Sequence, residues 1–406
     1  MPTLQWIGKD KVVKHHHEVP FKTLRQEYVY AAPEGTPTNS TGNRIIHGDN
    51  LEALKSLLPE FEGRVKCIYI DPPYNTGNEG WVYNDNVNDP RIQKWLHQVV
   101  GKEGEDLTRH DKWLCMMYPR LKLLHRLLAK DGLMFVSIDD NEIDNALCLM
   151  DMILGRSNRL ACAPVLAEPS GGKEKTGLRG GHEYILIYHN GDISCVTTEE
   201  RSTGVLNLKD KVGPYRKGRE LRKWGGTSQR SDRENQWFPL MTPSGEVVYP
   251  VKNDGTEGHW RWGKDQKMKG IIQDPEIAHW EKCPYDKGVV VNGESERWVP
   301  FEKIRDKKKS VGWGTWLDSI GFNSDATREL KEIFGVKPFD TPKPTSLIEW
   351  LISLHQDDQA MVLDSFAGSG TTAHAVLKLN AQDGGNRRFI LTEMMDYLNS
   401  YCKRTT

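Results

Sequence analysis

Val65-Lys66-Cys67-Ile68-Tyr69-Ile70 runs without interruption into Asp71-Pro72-Pro73-Tyr74. Six mostly apolar residues bounded by an acid and two prolines read as a buried strand that stops at Asp71. A second junction of the same kind lies near the far end. There Met361-Val362-Leu363 leads into Asp364-Ser365-Phe366-Ala367-Gly368-Ser369-Gly370-Thr371-Thr372. Outward from Asp71, residues 118–128 carry Leu121, Leu124, Leu127 and Leu128 at helical spacing, and Asp131-Gly132 is expected to break that helix. Residues 133–138 read as a strand ending at Asp139-Asp140, 141–154 as a helix and 184–188 as a strand. Outward from Asp364, 345–355 and 371–379 read as helices and 388–391 as a strand. Strand–helix alternation on both sides predicts an α/β fold with a mostly parallel sheet.

The 406 residues allow two domains, or one large domain with an insertion. Residues 1–43 read as a polar arm ending in a Pro/Gly/Thr/Asn-rich linker over 32–43. Residues 44–192 and 338–406 carry the α/β pattern. Residues 193–337 do not: helical periodicity is weak, turn dipeptides are frequent, and eight of the thirteen tryptophans fall between Trp224 and Trp316. An inserted, irregular, β-containing domain is expected there. Net charge is −1, yet residues 201–234 hold ten Lys/Arg against four Asp/Glu. That excess suits either a solvated face or a local grip on phosphates, with Arg216, Lys217, Arg219 and Arg222 as candidate DNA contacts. The seven cysteines form no C-x-x-C pair, so neither a disulfide framework nor a zinc ribbon is indicated. His15, His16 and His17 are consecutive and cannot all face one ion, so no metal site is expected. No apolar run approaches the roughly 20 residues that span a bilayer, and a cytoplasmic protein with no membrane partner is expected.

The loops at the two strand ends carry the chemistry. In open α/β sheets, ligands sit at the carboxyl ends of strands. Two prolines stiffen the loop and leave carbonyls free of local amide partners, so Asp71 and the Pro72 carbonyl form a preformed set of acceptors. The exocyclic amine of a nucleobase needs such a set, because hydrogen bonds to its N–H groups favour the pyramidal geometry that frees its lone pair. Tyr74 offers a face for an extruded base. Alone, the run also reads as a tight turn after a strand. In the second loop, Gly368 and Gly370 permit a tight turn and close approach by a ligand at a helix N-terminus. No Lys of a triphosphate-binding loop is present, and alone this loop fits any strand-to-helix turn.

Together the two motifs resemble those of the DNA amino-methyltransferases, in which D-P-P-Y takes the target base and F-x-G-x-G takes S-adenosylmethionine. Their order, catalytic motif first, resembles the β group, whose sheet is circularly permuted. Arg44-Ile45-Ile46-His47-Gly48-Asp49-Asn50-Leu51 is similar to the segment opening that group, and Lys343-Pro344 with Leu347-Ile348 to the segment before its cofactor loop. The runs Asp71-Pro72-Pro73-Tyr74-Asn75-Thr76-Gly77-Asn78, Val82-Tyr83-Asn84-Asp85, residues 132–142 and His182-Glu183-Tyr184-Ile185-Leu186 resemble the modification subunit of type III restriction–modification systems. The resemblance covers about half the chain.

It implies a class I S-adenosylmethionine-dependent methyltransferase, Rossmann-like and permuted, with a target recognition domain inserted over 193–337. It implies transfer of a methyl group to N6 of a flipped adenine by Asp71, Pro72, Pro73 and Tyr74. The cofactor would be held by Asp49, Asp71, Lys343, Asp364, Phe366, Ala367, Gly368, Ser369, Gly370, Thr371 and Glu393, with Glu393 on the ribose hydroxyls. Implied partners are double-stranded DNA, a second copy of the chain and a restriction subunit. Two alternatives stay open: an enzyme acting on N4 of cytosine, and a non-catalytic DNA-recognition subunit. Intact Asp71, Tyr74 and Gly368 argue against the second.

Overall fold

The structure is a computed structural model describing residues 4–29, 42–76, 109–171, 177–265, 267–337 and 339–394. Gly77-Asn78, the run Val82-Tyr83-Asn84-Asp85 and most of the 32–43 linker lie outside the described residues. The chain divides into two compact units, Met1–Thr198 with Gly312–Thr406, and Glu199–Val311.

The larger unit is built on seven strands: β1 (Arg44–His47), β2 (Val65–Ile70), β3 (Leu128–Ile138), β4 (Arg159–Leu166), β5 (His182–His189), β6 (Met361–Asp364) and β7 (Arg388–Glu393). Its longer helices are α1 (Asn50–Phe61), α2 (Arg109–Leu127), α3 (Ile143–Met150), α4 (Asn323–Phe334), α5 (Thr345–Ser353) and α6 (Thr371–Asp383). The strands line up in the order β1-β7-β6-β2-β3-β5-β4. All neighbours are parallel except at β5, which runs against both β3 and β4. The mostly parallel α/β sheet expected from the alternation is therefore present.

Both faces of the sheet are buried, which is why its strands read as continuous apolar runs. Ile68, Ile70, Met134 and Val136 face one core with residues of α1, α2 and α3, while Cys67, Tyr69, Leu133 and Phe135 face the other with α5 and α6. From β6 the chain passes through α6 to β7 on one side, and from β2 through α2 to β3 on the other. The order thus reverses between β6 and β2, whose register pairs Asp364 with Tyr69. Ligand crevices form at such a switch point, and both loops singled out in the sequence open there.

The boundary between α2 and β3 departs from the sequence expectation. The helix ends at Leu127, and β3 runs through Asp131-Gly132. Register jumps from Val65 opposite Leu128 to Cys67 opposite Leu133, so these residues form a bulge. Lys66 pins it by a 2.5 Å ion pair to Asp131. Gly132 is there for packing, since a Cβ would meet Leu128 Cδ1 at 2.6 Å. The expected 141–154 helix divides into α3 and a wider π turn over Asp151–Gly155. The N-terminal arm is not free: Trp6, Val12 and Val19 join the first core.

The smaller unit has a four-stranded antiparallel sheet in the order His279–Pro284, Glu296–Ile304, Pro214–Glu220, Leu208–Lys209. Its core gathers Leu221, Phe238, Leu240, Met268 and Ile271 around Trp260. The unit begins and ends inside the expected 193–337 insert. Residues 312–337 count with the larger unit, where Leu317 hydrogen-bonds Pro164 and Leu166 of β4 and Trp313 packs edge-on against Trp350.

Candidate active site

The loop after β2 is held from α2 and α3. Trp113 donates its indole N–H to the Pro73 carbonyl at 2.7 Å. Asn75 adopts a left-handed φ of 57°, a conformation Asn tolerates better than most residues. Its amide donates to the Arg109 carbonyl at 3.1 Å and to Glu142 Oε1. Glu142 is fully buried, and His110 Nδ1 at 2.8 Å and Asn145 at 2.7 Å also lie on its carboxylate. Asp71-Pro72-Pro73-Tyr74 is therefore tied down at its far end.

Lys343, buried just before α5, reaches this loop. Its Nζ donates to the Tyr74 hydroxyl at 2.7 Å, lies 2.8 Å from Glu183 Oε2 and 3.3 Å from Asp71 Oδ1, and stands 4.6 Å from the Tyr74 ring centroid. Tyr74 donates its hydroxyl to Glu183 Oε2 at 2.8 Å. Burial pushes the Asp71 carboxyl up from its ordinary value; Lys343 opposes this and Glu183 adds to it. Burial also pushes against ionisation of Glu183, but the charge and hydrogen bond of Lys343, with the Tyr74 hydroxyl, hold it below its ordinary value. Burial, then the two carboxylates, push the Tyr74 hydroxyl well up. Apart from the Lys343 ammonium at 3.3 Å, Asp71 Oδ1 is buried with no aligned hydrogen bond among the described residues. Sequence reasoning did not single out Glu183 as a site residue. The available signal was one acid in the apolar strand His182-Glu183-Tyr184-Ile185-Leu186-Ile187-Tyr188.

The glycine loop joins β6 to α6. Gly368 and Gly370 have φ of 52° and 83°, and Gly370 caps α6. Asp364 Oδ1 accepts from the Phe366 amide at 2.9 Å and Oδ2 from Thr372 Oγ1 at 2.5 Å. Burial pushes this carboxyl up to about 7. Phe366, Ala367 and Ser369 are buried, and Ser369 Oγ lies 2.9 Å from Thr371 Oγ1. Glu393, ending β7, accepts from the Gly368 amide at 3.0 Å and the Met394 amide at 2.9 Å. Its carbonyl accepts from Gly48 at 3.0 Å, and Asp49 caps α1 through the Glu52 amide at 3.0 Å. Asn50 donates to the Ser365 carbonyl. Around this cradle Asn50 Oδ1, Ser365 Oγ and Thr392 Oγ1 are buried without hydrogen-bond partners among the described residues. Unfilled hydroxyl and amide groups, two acids at strand ends and a left-handed glycine turn fit a ligand rich in hydroxyls and amines, such as the nucleoside and amino-acid ends of S-adenosylmethionine.

The structure thus brings Asp49, Asp364, the 366–371 turn and Glu393 to adjoining strand ends, and sets Lys343 against Asp71 and Tyr74. The four basic candidates of the smaller unit fare unequally. Arg222 is buried, with Nε 2.7 Å from Glu220 Oε1 and Nη2 donating to Asn253 at 3.0 Å, so it is spent on structure. Lys217 pairs with Glu281 at 2.7 Å. Arg216 is half-buried and Arg219 is exposed.

A seven-stranded sheet in this order, with one reversed strand and both loops at its switch point, is that of the methyltransferase class. Within that class the chain belongs to the N6/N4 DNA methylase family, whose model matches residues 65–403. It is 33% identical to the type III restriction–modification enzyme EcoPI Mod subunit of Escherichia phage P1, over 98% of this chain and 64% of that one. It is 34% identical to the type II methyltransferase M.KpnI of Klebsiella pneumoniae, over 88% of this chain and 82% of that one. Among solved structures, the cytosine-N4-specific PvuII DNA methyltransferase aligns over 90% of this chain and 86% of its own at 13% identity, with a TM-score of 0.43. The chain spans less than two thirds of the length of the EcoPI Mod subunit.

Proposed function

We propose that this chain transfers the methyl group of S-adenosylmethionine to N6 of an adenine flipped out of double-stranded DNA. Asp71 Oδ1 carries the reading: a buried acceptor at a strand end beside the glycine loop, ion-paired to Lys343 at 3.3 Å but with no aligned hydrogen bond among the described residues. Such an atom costs folding free energy unless a ligand fills it, and a target amine does so. Asp71 and the Pro72 carbonyl take the two N–H bonds of the amine, and Tyr74 supplies the aromatic wall for the base. When bound, S-adenosylmethionine supplies an electrophilic methyl group on its sulfonium. Asp49, Asp364, the 366–371 turn and Glu393 hold that cofactor. The chain's contribution is positioning and electrostatics. Once the amine has gained a substituent it must shed a proton, and Asp71, with its carboxyl pushed up by burial, is placed to receive it.

The smaller unit, Glu199–Val311, is the target recognition domain in this reading. The named relatives support work within a restriction–modification system beside a restriction subunit. Nucleoside analysis of DNA incubated with the chain and S-adenosylmethionine tests the proposal. N6-methyladenine is expected. N4-methylcytosine would move the target, and no modified base would leave only DNA recognition.

A further inference from the structure

The larger unit buries more charge around Asp71 than a base-holding loop needs. Glu183 lies on β5, the one reversed strand, with its side chain only 18% exposed. Burying a carboxylate on a strand is costly unless it is paired, and an apolar side chain would fill the same volume. Here the pairing is specific: Oε2 takes the Tyr74 hydroxyl and the Lys343 ammonium, both at 2.8 Å. Lys343 stands farther, 3.3 Å, from Asp71 Oδ1, an ion pair without an aligned hydrogen bond among the described residues. Two carboxylates compete for one ammonium, and Glu183 holds it closer. Charge-assisted hydrogen bonds strengthen as they shorten. Without a competitor, the ammonium would close on Asp71 and fill the lone pair that an incoming amine has to find.

We propose that Glu183 is a positioning residue: by holding Lys343 and Tyr74 on its own carboxylate, it keeps the ammonium from closing fully on Asp71 Oδ1 and leaves that oxygen available to the target amine. The proposal rests on the amine-methylation reading above. Glu183→Gln keeps the shape and removes the charge, leaving Asp71 as the carboxylate to which Lys343 turns. Asp71 is then both filled and more acidic.

The test is steady-state and pH-dependent kinetics of the full chain on DNA with S-adenosylmethionine. For Glu183→Gln, kcat is expected to fall on the order of tenfold to a hundredfold, with the KM for DNA and the cofactor affinity changing less than about threefold. The acidic limb of the kcat profile moves to lower pH, because a negative charge that opposed ionisation of Asp71 is gone. A role in packing alone would lower the melting temperature and leave that limb in place. In a Lys343→Met background the Glu183→Gln loss shrinks, since the partner through which it acts is absent. Glu183→Asp retains the charge at shorter reach and falls between wild type and the amide variant. Where the amide variant fails to fold, full wild-type kcat in Glu183→Asp overturns the proposal. An unmoved acidic limb, or additive losses in the double variant, also overturns it. A wild-type chain that methylates no amine overturns the reading beneath it instead.

Discussion

In the proposed reaction the Asp71 carboxylate has two tasks, accepting the amine and receiving its proton, and neither involves the cofactor cradle across the switch point. Asp71→Ala is therefore expected to abolish methyl transfer while S-adenosylmethionine still binds. Turnover above about a tenth of wild type, a loss below roughly 1.4 kcal/mol, would remove Asp71 from the chemistry. Asp364 makes the opposite use of burial. Its folded-state pKa, near 7, lies above the ordinary carboxyl value, so the folded chain binds its proton more tightly than the unfolded chain does. That contribution to stability is full below the unfolded pKa, about 4, and is lost as pH rises toward 7. Urea unfolding at stepped pH should show wild type losing stability over that window relative to Asp364→Asn; parallel curves would show that Asp364 does not titrate there. At this scale the sequence exposed acids and glycines next to strand ends, because local order puts them there. It did not expose Glu183, which lies 109 residues from Tyr74 in the chain and meets it only once β5 is laid against β3.

Elements explain what was legible and what was not. The cores of β2, β3, β5 and β6 follow from apolar runs, and each forms where it was expected. The α2–β3 junction did not, because Asp131-Gly132 marks a bulge whose shape is set by Lys66 on a neighbouring strand. The loop after β2 likewise depends on partners remote in sequence. Glu142 gathers donors from Asn75, His110 and Asn145. Glu142→Ala would strand those donors in a closed site, at about 1–3 kcal/mol of stability, read by urea unfolding. A variant as stable as wild type would show that the left-handed Asn75 turn holds without its latch. In the other loop, Gly368 occupies a φ of 52° that a branched residue rarely adopts. Gly368→Val is expected to abolish S-adenosylmethionine binding by calorimetric titration, and unchanged affinity would take the turn out of the cofactor site.

Across the whole molecule, the near-neutral charge conceals a local surplus, and burial decides which part of it can reach DNA. From composition alone, Arg216, Lys217, Arg219 and Arg222 looked equivalent. In the folded unit Arg222 is locked to Glu220 and stacks on Trp224 at 4.5 Å, and Lys217 is paired with Glu281. Among the described residues, Lys209, Arg219, Lys223 and Arg233 of the same stretch are exposed and in no ion pair. A paired cation must give up its carboxylate to bind phosphate, whereas an unpaired one releases only counterions from the DNA. Each phosphate contact adds about 0.9 to the steepness with which log K falls against log salt. Replacing Arg219, Lys223 and Arg233 with Ala is thus expected to weaken binding and to flatten that slope by about 2–3. Arg222→Ala should instead destabilise the smaller unit, because Glu220 loses its buried partner, with the slope unchanged in chains that remain folded. Binding isotherms at stepped salt separate the two. A wild-type slope in the triple variant would make this surface a solvated face, and loss of sequence preference at unchanged affinity would mark it as the surface that reads bases.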